Sequence, residues 1–142
     1  MLPLIRRILQ AIIESDTIRQ GVFPTSADGV AAAAVTLTAA GVAWTWGAYA
    51  QIVAAVGVLA ETQIEGFTLE NYVGAPFQGE VIIASGAGGA EVELGRWPTN
   101  NALFHLPKPI RVPTGTRLAC ALRTSTGIAD TVDIKLLTTT GF

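Results

Sequence analysis

The sequence predicts an all-β domain, a jelly-roll-like β-sandwich of short strands preceded by a short N-terminal amphipathic helix or arm. Three observations predict it. Apolar residues alternate with polar ones at a period of two along much of the chain. Gly, Pro, Asn and Asp clusters punctuate that alternation at short intervals. After residue 20 no stretch has the spacing of an amphipathic helix.

At 142 residues the chain fits one domain with a real core. Residues 1–24 are set apart as the N-terminal segment and 25–142 as the sandwich. Charged residues make up 14% of the chain and apolar ones 50%, against about 25% charged in an average soluble domain. So few charges cover a monomer poorly, which points to burial against identical subunits, a larger assembly or a membrane. The net charge of −2 gives no electrostatic reason to expect nucleic acid. A single cysteine, Cys120, excludes an intrachain disulfide.

In the N-terminal segment Leu2, Ile5, Ile8, Leu9, Ile12 and Ile13 fall at helical spacing, with Arg6, Arg7, Gln10 and Glu14 on the other side. A helix this short needs a partner for its apolar side. That partner is the chain's own domain, a neighbour or, least favoured, a membrane surface. Leu2, Ile5, Arg6, Arg7, Ile8, Leu9 and Ile12 are therefore the candidate partner contacts. The arginines follow apolar residues, the reverse of a secretion signal, so no such signal is expected.

No charge occurs between Asp28 and Glu61, a length that could span a bilayer. Thr36, Thr38, Thr45 and Gln51 interrupt it, Gly41 and Gly47 break it, and it has no basic flank. Buried strands are the better reading. Ala33, Val35 and Leu37 share one face. Val42, Trp44 and Trp46 form a second run, assigned to the core, and Ile52 to Val58 a third. Glu61 to Tyr72 is less regular, with a bulge expected at Gly66.

Val81-Ile82-Ile83 suits a strand buried on both faces, and Ser85 to Gly89 makes the next turn. From Ala90 to Trp97, Val92 and Leu94 face one way and Glu91 and Glu93 the other. Ala102 to Leu106 reads as a short strand bounded by Pro98, Pro107 and Pro109. The last two strands alternate clearly. One places Leu118, Cys120 and Leu122 on its apolar side, the other Val132, Ile134 and Leu136.

A search for chemistry finds no assembled site, so no enzyme, cofactor or metal is expected. His105 is the sole histidine and reads as a strand residue. One His and one Cys cannot supply a zinc site without clustered carboxylates. Asp130 and Asp133, three apart on a strand, point to opposite faces. Glu91 and Glu93 share a face and read as a solvated one. The glycines from Gly86 to Gly89 lead into a strand, not a helix, which removes the nucleotide reading. Tyr49 and Trp97 are left as candidates for an exposed aromatic contact.

The C-terminal half resembles small jelly-roll virion proteins of tailed bacteriophages. The resemblance rests on Gly79 to Glu91, on Leu106 to Ala119, the most specific part, and on Asp130 to Lys135. In that pattern a strand leads to a Gly-rich turn and a Gly-Ala-Glu step, and a final Asp-Thr-Val-Asp strand closes it. Val112 and Thr114 depart from it, as do Cys120, Ala121 and Leu122 before Arg123. The resemblance spans about residues 40–137. It implies a capsid cement, or decoration, protein of the virion surface, made in the host cytoplasm. Its partners would be itself, as a homotrimer, and the major capsid protein. A carbohydrate- or receptor-binding head or tail accessory module on the same fold is the alternative.

Overall fold

The computed structural model describes residues 4–6, 19–24, 34–76 and 78–141. The chain is predominantly β and forms two antiparallel sheets packed as a sandwich. Its strands are β1 (Arg19–Phe23), β2 (Val35–Thr38), β3 (Ala50–Val53), β4 (Thr62–Val73), β5 (Gly79–Ser85), β6 (Val92–Pro98), β7 (Leu103–Val112), β8 (Leu118–Thr124) and β9 (Thr131–Thr140). The first sheet runs β1-β9-β4-β7, with β2 also paired to β9; the second runs β3-β8-β5-β6. Among the described residues no helix is long and apolar enough to cross a membrane.

β1 and β2 lie end to end along one edge of β9. Arg19 to Phe23 pair with Thr140 to Leu136, and Val35 to Thr38 pair with Ile134 to Thr131. Together they act as one edge strand. β1 also lies inside the stretch set apart as an arm, so the sandwich begins ahead of the expected boundary at residue 25. Of the amphipathic segment, Leu4 to Arg6 are helical and exposed. Leu2, Arg7, Ile8, Leu9 and Ile12 lie outside the described residues.

The alternation in β9 translates directly into burial. Val132, Ile134, Leu136 and Thr138 face inward and are buried, while the residues between them are half-exposed. They meet Val81 and Ile83 of β5 and Leu118, Cys120 and Leu122 of β8 across the sandwich. Phe67 of β4 is fully buried among them, worth roughly 1.5–3 kcal/mol relative to exposure. Its ring stacks on Phe104 at 5.2 Å and tilts against Trp97 of the second sheet at 6.3 Å.

The bulge expected at Gly66 is present, where the register shifts between Ile64 and Gly66. A Cβ at Gly66 would come within 2.2 Å of the Phe104 carbonyl oxygen, so the strands approach too closely for a side chain. The strand expected to stop before Pro107 continues to Val112. Among the described residues β7 is an edge strand, paired only with β4. From Ile110 to His105 it advances five residues while β4 advances two, from Ile64 to Gly66. Pro107 and Pro109 fall in this slack, where no ladder needs their missing N–H.

Two other expectations fail. Val42 to Trp46 is an irregular loop, not a strand. Ile52 to Val58 is β3 only as far as Val53, followed by a 3-10 turn at Ala55–Gly57 that leaves Val56 85% exposed.

Candidate functional site

The residues with the most chemical character gather on the outer face of the second sheet. That face has a floor of small apolar side chains. Ile82 and Ala84 of β5 and Ala119 and Ala121 of β8 are buried, yet they belong to the side turned away from the core cluster. The loop from Gly41 to Tyr49 runs beside β8, continuing the edge that β3 occupies. It is fixed along β8 by two backbone bonds, Trp44 N–H to the Thr124 carbonyl at 2.7 Å and Gly47 N–H to the Leu122 carbonyl at 2.9 Å.

Upon this floor lies a stack of indoles and guanidiniums. Arg123 sits over the Trp44 ring at 5.7 Å and over the Trp46 ring at 4.7 Å, and Arg96 lies over Trp46 at 5.5 Å. Glu80 accepts a 2.7 Å hydrogen bond from Arg123, and Glu93 takes a two-pronged one from Arg96 at 2.6 and 2.8 Å. Arg96 holds the Glu93 carboxyl below its ordinary range and is itself raised by the same bond. A guanidinium over an indole face is attracted by the negative face of the ring, so each arginine helps to hold its tryptophan in place.

Trp44 and Trp46, expected in the core, are thus on the outside. Trp44 is 45% exposed and holds a backbone φ of +57°. For a bulky side chain that left-handed conformation costs roughly 1–2 kcal/mol. It borders a hollow of about 430 Å³ at the end of the sandwich where β5 starts and β6 ends. Gln78, Gly79, Glu80, Pro98, Thr99 and Asn100 complete the hollow.

Trp97 does the opposite of what its place after Glu93 predicts. It packs against the core and fills the space left by Gly95, where a Cβ would meet the indole at 2.5 Å. The cause is a register shift in β6, where Gly95 pairs with Ile83 but Glu93 with Ala84. One extra residue reverses the alternation. Tyr49 is half-buried beside the covered face. Burial, and then Glu93 and Glu91, push its hydroxyl above the ordinary range.

The remaining candidates are held in structural roles. Glu91 and Glu93 are divided between two arginines, Glu91 going to Arg117 at 3.0 Å. Arg117 also donates to the Gly86 carbonyl and to Gln51, so the larger hollow at the opposite end, about 790 Å³, has its one charged group already engaged. Asp133 faces outward and Asp130 is buried, where it accepts hydrogen bonds from Thr124 and Thr126. His105 is exposed on β7. Burial pushes the Cys120 thiol far up, which keeps it protonated and unreactive. Among the described residues no three of His, Cys, Asp and Glu come together as a metal site.

This is an all-β sandwich with one outer face covered by an aromatic–arginine stack. No protein-family model matches the chain, and no curated protein matches it.

Proposed function

We propose that the chain is a structural protein of a phage virion, a jelly roll that packs on the capsid exterior as a homotrimer and binds the major capsid protein. The jelly-roll reading is supported by strand order. With β1 and β2 counted as one strand, the eight strands are ordered 1-8-3-6 in one sheet and 2-7-4-5 in the other. That is the order two nested Greek keys produce.

The observation that carries the packing role is the apolar crown at one end of the sandwich. Val42, Tyr72, Val73, Leu103 and Ile128 expose 63, 46, 62, 50 and 49% of their surfaces there. Their segments are knitted together: Ala39 N–H bonds the Asp130 carbonyl, Ser125 N–H the Gln78 carbonyl, and the Tyr72 hydroxyl the Thr99 carbonyl. A rigid end rich in exposed apolar side chains suits burial by other subunits. Its stabilising effect would come from buried area and avidity and not from a reaction.

The test combines assembly and binding. Light scattering should give a trimer at micromolar concentration, and electron micrographs of the protein mixed with its parent capsids should show it on their outer surface. Removing residues 1–16, which spares β1, should weaken decoration at least tenfold while the sandwich stays folded. A monomer that leaves the capsids bare would overturn the proposal.

A further inference from the structure

The geometry points to a binding site for a neutral saccharide in the hollow beside Trp44. This inference does not rest on the capsid reading: the hollow lies at the same end of the sandwich as the exposed apolar residues, so a glycan site there needs that end open, and glycan binding by the free chain tests it apart from assembly.

Three features support it. First, Trp44 presents a large ring with one face backed by Arg123 and nearly half its surface open. Sugar rings carry patches of C–H groups that stack on such a face, because the edge of the sugar is polar but its face is not. Second, the hollow is lined by Gln78, Glu80 and Asn100. The side-chain amides of Gln78 and Asn100 make no hydrogen bond among the described residues, and each offers both donors and acceptors to hydroxyls. Its volume of about 430 Å³ lies within the range of about 300–1,000 Å³ usual for small-ligand clefts.

Third, Trp44 is held in place by an unfavourable backbone. A residue of this bulk at φ +57° is fixed by its N–H bond to Thr124. Core packing does not account for it, because the ring is not in the core. Conformations of this cost collect where a side chain must be aimed, as at binding sites.

Charge selects the class of ligand. Glu80 is paired with Arg123 and Glu93 with Arg96. Among the described residues no unpaired charge lines the hollow, so an acidic sugar gains nothing over a neutral one, and hydroxyl-rich uncharged rings fit best. Glu80 keeps acceptor capacity beyond its bond to Arg123, since a carboxylate has about four lone-pair sites.

The test is an array of neutral oligosaccharides of glucose, galactose, mannose and N-acetylglucosamine, with sialylated and sulfated glycans alongside. The full chain should bind a subset of the neutral glycans. Trp44→Asn removes the indole yet suits the left-handed backbone, so it should fold and lose at least tenfold in apparent affinity. Asn100→Ala should lose about threefold or more, the scale of one neutral hydrogen bond. Binding confined to acidic glycans, no binding at all, or binding unchanged in Trp44→Asn would overturn the site. If Trp44→Asn instead dissociates the oligomer and leaves glycan binding intact, the indole is an intersubunit contact and the proposal fails.

Discussion

The outer faces of the two sheets solve the same problem differently. On the first sheet, the outward residues of β9 are half-exposed, and four of them, Thr131, Asp133, Lys135 and Thr139, are polar. On the second, β8 is buried on both sides from Leu118 through Leu122: Leu118, Cys120 and Leu122 lie in the core, and Ala119 and Ala121 are buried on the outer face that carries the stack of Arg123 with Trp44 and Trp46. A sheet with one wet face can be read from alternation. A face that carries bulky stacked side chains leaves room only for small residues beside them, as at Ala84, Ala119 and Ala121.

The sharpest way to break this contrast is to place a charge at equivalent outward positions. Ala121→Glu buries a carboxylate where Ala121 is 1% exposed. It should cost more than about 3 kcal/mol or prevent folding, since an unpaired buried charge is among the costliest substitutions. Lys135→Glu, on the wet face, should stay within about 0.5 kcal/mol. Urea unfolding of the two variants decides the matter. Similar losses would mean that β8 is not covered.

A smaller effect isolates the seating of the loop. A Cβ at Gly47 would fall 1.9 Å from the Thr38 carbonyl oxygen, while one at Gly41 meets nothing within 4 Å. Gly47→Ala must move backbone and should cost about 1–3 kcal/mol, as overpacking does. Gly41→Ala should be nearly neutral. An equal response at both positions would show that the loop is not pinned at Gly47.

The same contrast explains what the sequence discloses. Strands β8 and β9 and the bulge at Gly66 were legible because each depends on local periodicity and on a glycine where two backbones meet. The Val42 to Trp46 run mimics a strand, and nothing local distinguishes it. Arg96 and Arg123, which hold the two indoles outside, are about 50 and 80 residues away along the chain. Trp97 points inward for a different reason. A one-residue bulge ahead of it reverses its direction, and Gly95 was the available signal, since glycine inside a strand often marks such a site. The hollow beside Trp44 joins the ends of β5 and β6 to the loop before β3, a meeting that only the topology creates.

The smallest effect separates the two faces by the nature of their acid groups. Asp133 accepts hydrogen bonds from Thr36 at 2.6 Å and Asn71 at 2.8 Å, and these hold its carboxyl below the ordinary 3.8. A carboxyl lowered on folding adds stability above its unfolded pKa, and that contribution disappears as pH falls through the folded value. The gap in melting temperature between the natural chain and Asp133→Asn should therefore be widest near neutrality and close below about pH 3.8. On this exposed face it should not exceed about 1–3 °C. Glu93 is lowered by Arg96, a charge, whereas Asp133 is lowered by neutral donors. At about 1 M salt, where charges are screened over about 3 Å, NMR titration should find Glu93 returning towards its ordinary value and Asp133 unmoved. If salt moves both alike, Asp133 is held by charge too, and the two faces differ less in their electrostatics than in their burial.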